Sequence, residues 1–228
     1  MADKVYRHEL KYYINRGEAA LLSQRLALTM DRDSFADSRG EYHIRSLYFD
    51  DFVNSAVTQK MEGIEERRKY RIRIYNYKDD NIKLERKEKQ GQYVCKTSLS
   101  ITPSQCEAII AGDPAFLLRY KHPLAMDMYY QMRMRLLRPV VVVDYKREAY
   151  VHPFEDVRVT LDKDLRSGFS SRAIFNRNLP TVRMMEEYDM ILEVKYNNHL
   201  PAYFHELIQL GSVQRSAISK YCICRKFE

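Results

Sequence analysis

Arg67-Arg68-Lys69-Tyr70-Arg71-Ile72-Arg73-Ile74-Tyr75 is the stretch whose reading decides the fold. Side chains alternate faces along a strand, so Arg67, Lys69, Arg71 and Arg73 share one face. Ile72 and Ile74 share the other and mark it as buried. Four cations on one face repel one another unless water screens them or an anion meets them. The division recurs along the chain. Arg7, Glu9 and Lys11 oppose His8 and Leu10; Arg158, Thr160 and Asp162 oppose Val157, Val159 and Leu161; Glu193 and Lys195 oppose Leu192 and Val194. Glu85 and Lys87 oppose Leu84 and Arg86, a weaker alternation, while Tyr145 and Arg147 share a face with Val141 and Val143.

A half-buried antiparallel sheet with its polar face in water explains any one of these strands. The whole set asks for more. Its charged faces repeat both signs in E-x-K and R-x-R spacing, and its apolar faces offer helices a surface to pack on. A sheet curled so that the polar face lines a lumen, with helices outside, meets both demands and removes exposed edges. The expected fold class is α+β: an antiparallel β-barrel tunnel with a charged lumen and outer helices, one domain over residues 1–228.

Element by element, strands are expected at 4–14, 43–50, 66–77, 81–88, 92–100, 140–151, 157–162 and 189–196, with hairpin turns at Lys78–Asn81 and Gln90-Gly91. Asn15 and Glu18 form a capping-box pattern before a helix over Ala19–Met30. Thr102-Pro103 opens a second helix, with proline at its first position. Further helical stretches are expected at Pro123–Leu137, after a turn following Pro114, and at Pro201–Leu210 and from Ser212 onward. Lys163–Arg183 reads as a mobile basic loop with solvated arginines.

The formal charge of +7 and pI near 9.1 favour an anionic partner without choosing among nucleic acid, nucleotides, polyphosphate and a membrane surface. Tyrosine is abundant, at 18 residues, and suits strands that present a polar tip. No run of 18 apolar residues and no signal-peptide pattern is present, so a cytoplasmic location is expected. Cys95, Cys106, Cys222 and Cys224 lack metal-site spacing and read as structural thiols. Walker, G-x-G-x-x-G, G-x-S-x-G and H-E-x-x-H patterns are absent, as are the aromatic platforms of nucleic-acid binders. No nucleic-acid partner is expected.

A lumen of arginine and lysine with a few glutamates suits a phosphate chain carrying a divalent cation. Arginine forks match phosphate oxygens, lysine supplies point charge, and carboxylates hold a hard metal that phosphate also bridges.

Arg7-x-Glu9-x-Lys11-Tyr12, Ser46-Leu47-Tyr48-Phe49-Asp50, Lys69-x-Arg71-x-Arg73-x-Tyr75, Leu84-Glu85-x-Lys87, Tyr145-x-Arg147, Leu192-Glu193-Val194-Lys195 and Ser219-Lys220-Tyr221 occur in that order. As an ordered set they resemble the VTC domain, the polyphosphate polymerase branch of the triphosphate tunnel metalloenzymes of the CYTH-like superfamily. The resemblance implies transfer of the γ-phosphate of ATP to a growing inorganic polyphosphate chain, with Mn²⁺ or Mg²⁺. It makes Arg71, Arg73, Lys87, Arg147 and Glu193 the catalytic candidates. Lys11, Lys69, Lys96, Tyr145, Arg158, Lys195, Ser219 and Lys220 are the phosphate- or chain-binding candidates. Glu193 is implied as the principal metal carboxylate, with Glu9 and Glu85 behind it.

Two positions depart from the family's pattern. Arg7 stands where hydrolytic members carry the first glutamate of E-x-E-x-K, which favours the polymerase branch. Ala217 stands where polymerases tend to carry lysine, with Arg215 nearby to compensate. The alternatives are a tripolyphosphatase or nucleoside triphosphatase in the same tunnel, and a non-catalytic polyphosphate- or nucleotide-binding module. A membrane-protein partner that exports the product is left open.

Overall fold

The computed structural model describes residues 5–185, 190–208 and 215–226. The charged stretch forms strand β4 (Arg67–Tyr75), and its alternation is realised: Tyr70, Ile72 and Ile74 are buried on one side while Arg71 and Arg73 turn to the other. The remaining barrel strands are β1 (Tyr6–Ile14), β3 (Glu41–Asp50), β5 (Lys78–Gln90), β6 (Tyr93–Ile101), β7 (Arg138–Val151), β8 (Arg158–Ser167) and β10 (Met190–Tyr196). They pair antiparallel in the order β7-β3-β4-β5-β6-β1-β10-β8, and β8 returns to β7. The sheet is thus a closed eight-stranded barrel, with two-residue strands β2 (Asp31–Arg32) and β9 (Val182–Arg183) attached to β7 and β8.

Helices cover the apolar outer face. Asn15 caps α1 (Arg16–Ala27) with the expected capping box, and Leu22 and Leu26 pack on Leu10, Val159, Leu161, Leu192 and Val194. Phe204 of α5 (Ala202–Leu207) joins that cluster. Across the barrel, α3 (Pro103–Ile110) and α4 (Pro123–Met134) bring Cys106, Ile109, Leu124 and Met128 onto Leu47, Phe49, Ile72, Ile74 and Leu84. Each such fully buried aliphatic stabilises the fold by about 1.5–3 kcal/mol.

α6 (Lys220–Cys224) departs from the expectation of outer helices. Tyr221 and Cys224 pack with Tyr48, Val141, Val143, Tyr145 and Ala149, and Tyr48 and Tyr145 face the lumen. One wall of the lumen is therefore apolar, and a helix sits on it. α2 (Ser55–Met61) lies beside α6 and β4, and its free N–H groups at Ala56 and Val57 are taken up by Asp50.

Three local expectations are corrected. The β4–β5 turn falls on Asn76 and Tyr77, both left-handed (φ +51° and +58°), so β5 begins at Lys78. Tyr77 tolerates that backbone because its ring stacks on His43 and lies under Arg45, and its hydroxyl meets His43 Nε2 at 2.9 Å. Residues 163–167 belong to β8, which continues past a bulge where Asp164 has φ +52°. Lys220–Cys224 is the one helix described within the segment expected to be helical from Ser212; Ser212 itself, like Leu210 and Asp189, lies outside the described residues.

Candidate active site

Strand register concentrates charge. Lys69 on β4, Lys87 on β5 and Lys96 on β6 stand side by side across three strands, through the pairs Lys69–Lys87 and Lys87–Lys96. Like charges placed directly opposite are destabilising. Arg71 stands beside Glu85, and on the far wall Lys11 stands beside Glu193 and Glu9 beside Lys195. The alternation of their strands turns these residues to the barrel's inner side, although Lys96 and Glu85 do not reach the cavity wall.

A cavity of about 670 Å³ fills this lumen. Twelve of the expected residues line it: Glu9, Lys11, Lys69, Arg71, Arg73, Lys87, Tyr145, Arg147, Glu193, Lys195, Ser219 and Lys220. They come from β1, β4, β5, β7, β10 and α6 or its flank, so the grouping exists only in the folded barrel. Lys96, Glu85 and Arg158 are not on its wall. Glu85 is buried behind the arginines, accepting from Arg71 Nε at 2.7 Å and from Lys96 Nζ at 3.1 Å. Arg158 pairs with Asp33 and donates to the Tyr42 hydroxyl at 2.9 Å.

Each arginine is aimed by its neighbours. Arg71 also donates to the Tyr48 hydroxyl at 2.8 Å, and Arg73 donates to Ser46 Oγ at 3.1 Å and Tyr145 OH at 3.0 Å. Arg147 forms a two-pronged pair with Asp162, at 2.6 and 2.8 Å, and Lys220 Nζ reaches the same carboxylate at 2.5 Å. Asp162 was legible only as a member of a charged face; its role as the anchor of two cations from different elements needed the barrel. Tyr48, Lys60 and Lys89 are likewise additions from the structure, and Arg67, read only as part of a charged face, also lines the cavity. Arg215 and Ala217 both line the cavity, so the arginine stands on the wall where the sequence has lost a lysine.

Glu9 and Glu193 are the wall carboxylates that pair with the cavity's lysines. Lys87 Nζ binds Glu9 Oε2 at 2.6 Å, Lys11 Nζ lies 3.8 Å from Glu9 and 3.7 Å from Glu193, and Lys195 Nζ lies 3.5 Å from Glu193. Burial would raise the Glu193 carboxyl, but Lys195, Lys11, Lys87 and Lys220 outweigh it and hold it well below the usual carboxylate range. Burial likewise acts to raise Glu85, and Arg71, Arg73 and Lys96 hold it far down. The crowding shows in the lysines. Burial is the main cause that lowers Lys195 to about 7 and Lys69 to about 8.

The carboxylate pair fits a hard divalent ion completed by phosphate oxygens. Both carboxylates converge on one lysine nitrogen, and a magnesium-like ion is commonly held by one or two carboxylates plus phosphate. Among the described residues no group of three or more His, Cys, Asp and Glu is arranged to hold a metal by itself, so substrate oxygens have to complete the shell.

The closed antiparallel barrel with helices outside and a cation-lined lumen matches the triphosphate tunnel fold. The chain belongs to the VTC domain family, whose model matches residues 6–227. No curated protein matches it. Among solved structures it resembles a Hippeastrum protein named for adenylyl cyclase but described as having a dominant triphosphatase activity. That pair has 14% identity and a TM-score of 0.56, and covers 98% of this chain and 96% of the other. A Bacillus halodurans protein named for adenylate cyclase aligns at 12% identity and a TM-score of 0.53, over 87% of this chain and 83% of the other. At such identities the likeness is one of fold. Among the described residues no helix is long and apolar enough to cross a membrane.

Proposed function

We propose that the chain is an ATP-dependent polyphosphate polymerase that transfers the γ-phosphate of ATP to a polyphosphate end inside the barrel. The observation that carries this reading is the surplus of lysine and arginine over carboxylate around one cavity, on strands that place like charges side by side. A phosphate chain relieves that repulsion, so binding energy goes into charge neutralisation. Arg71, Arg73 and Arg147 sit where they would hold the oxygens of the transferred group, with forks fixed by Glu85, Tyr145 and Asp162. Lys11, Lys87 and Lys195 would take up the flanking phosphates. Glu193 and Glu9 would hold Mg²⁺ or Mn²⁺, which when bound draws charge from the phosphates and orients them. The attacking group, a terminal phosphate, is already ionised and needs no base, and among the described residues no histidine lines the cavity.

The test is incubation of the pure protein with ATP and Mn²⁺ or Mg²⁺, followed by a polyphosphate gel beside Glu193→Gln. A ladder of long chains, lost in the variant, supports the polymerase. Free phosphate without a ladder replaces it with the hydrolase reading, which the fold likeness to a protein with triphosphatase activity favours. Tight polyphosphate binding without turnover leaves a binding module.

A further inference from the structure

Phe52 and Val53, in the turn between β3 and α2, are 65% and 69% exposed. Met134 and Leu136, in the turn between α4 and β7, are 67% and 60% exposed. The two turns are neighbours: Asp50 pairs with Arg138 at the end of the antiparallel β3–β7 ladder, so Phe52 and Leu136 extend side by side beyond it. The Arg138 guanidinium lies 5.8 Å from the centre of the Phe52 ring. Leu136 holds a left-handed backbone (φ +53°), costly for a branched side chain, with its side chain largely in solvent.

Arginine predominates at these tips. Arg133, Arg135 and Arg138 are exposed, and none forms an ion pair among the described residues. Of the acids in the cleft beside Arg135, Asp50 and Asp51 are buried and bound to N–H groups at and before α2, Glu88 pairs with Arg68 and Arg86, and Glu66 is exposed. Protruding Phe, Val, Met and Leu tips ringed by arginine suit the boundary of an anionic bilayer, where the apolar ends enter the acyl region and guanidinium groups meet phosphate. A protein partner would more commonly offer a shape-complementary, partly acidic face, whereas these are two separate projecting turns.

We propose that this end of the barrel docks on an anionic lipid surface through Phe52, Val53, Met134 and Leu136, with Arg133, Arg135 and Arg138 on the headgroups. α2 runs from this tip to Lys60 on the cavity wall, so docking sets the tunnel mouth beside the membrane.

The experiment is flotation of the full chain with phosphatidylcholine vesicles, with and without phosphatidylserine. The chain has no tryptophan, so Phe52→Trp adds a single fluorescent reporter at the tip. Expected are binding only to the phosphatidylserine vesicles, a blue shift of the introduced indole's emission on binding, and about a tenfold or greater loss of binding in Phe52→Ser/Leu136→Ser. The melting temperature and tripolyphosphate binding of that double variant should match the parent, which separates docking from folding and from the tunnel. Absence of vesicle binding overturns the proposal. So does binding that the double variant retains, which would assign it to the basic tunnel mouth. Phe52-dependent dimerisation without vesicle binding would give the patch to a second copy of the chain and equally overturn it.

Discussion

Lys87 donates to the Glu9 carboxylate at 2.6 Å although their strands, β5 and β1, are not neighbours in the sheet. β6 lies between them, so the contact bridges over that strand on the lumen side of the barrel. If the cavity takes a phosphate chain as proposed, Lys87 can exchange the Glu9 carboxylate for a phosphate oxygen. An incoming chain would accept from Lys87 and release Glu9.

Glu9→Gln should therefore expose the conflict among the lysines. Lys87 and Lys11 lose a counter-charge in a largely dehydrated lumen. A stability loss of about 1–3 kcal/mol is expected, below the range for a fully buried pair because the Lys87 side chain keeps 29% of its exposure. Saturating tripolyphosphate should recover most of it: a ligand at about 100 times its Kd stabilises by ~2.7 kcal/mol. Thermal melts with and without ligand check this, and a variant no less stable than the parent would count against the bridge.

Glu193→Gln should lower metal-dependent kcat by about 100-fold or more while polyphosphate binding stays the same or tightens. A chelator should mimic the variant in the parent protein and do nothing further to the variant. Binding measured by calorimetry in the presence of chelator separates the two effects. Metal-dependent turnover that survives the substitution would remove Glu193 from the metal site.

Asp162→Asn should be the most damaging single change in the lumen. It leaves Arg147, 6% exposed, without the carboxylate that fixes its fork and also frees Lys220. Breaking one partner of a buried pair costs about 3–5 kcal/mol. By contrast, Asp144→Asn breaks the buried Arg45 pair on the outer face and should cost similar stability with no change in phosphate affinity at a temperature where both variants are folded. Urea titration and polyphosphate binding together distinguish a site effect from a scaffold effect.

Polyphosphate affinity should fall as pH rises through about 8, where Lys69 loses its proton. Burial is the dominant cause of that lowered value. The sign for stability runs the other way: the unfolded lysine keeps its proton to a higher pH, so the unfolded state binds more protons between about 8 and the ordinary lysine range. Stability from this group therefore rises with pH in that window. Lys69→Arg, charged throughout, should flatten the binding profile near pH 8. A profile unchanged by the substitution would assign the transition to another group.

The alternation in Arg67–Tyr75, Ile191–Tyr196 and Val157–Asp162 determined the barrel class, since period-two charge opposite period-two aliphatics leaves few ways to bury one face and keep the other polar. Asn15 with Glu18 likewise determined one helix start, because a capping box is a local exchange of hydrogen bonds between residues three apart, and Pro103 after Thr102 determined another, because proline's fixed φ suits the first helical position. Most of the tunnel wall was legible for the same reason: a residue's face follows from parity along its strand. What parity does not carry is which faces meet. Asp162 anchoring Arg147 and Lys220, Tyr221 donating to Asp50, α6 lying against the lumen wall, and Glu85 sinking behind Arg71 all depend on barrel closure and strand register. Those hydrogen bonds join residues 14 to 171 positions apart, and only the packed tertiary structure, where desolvation makes each charge seek a partner, decided them.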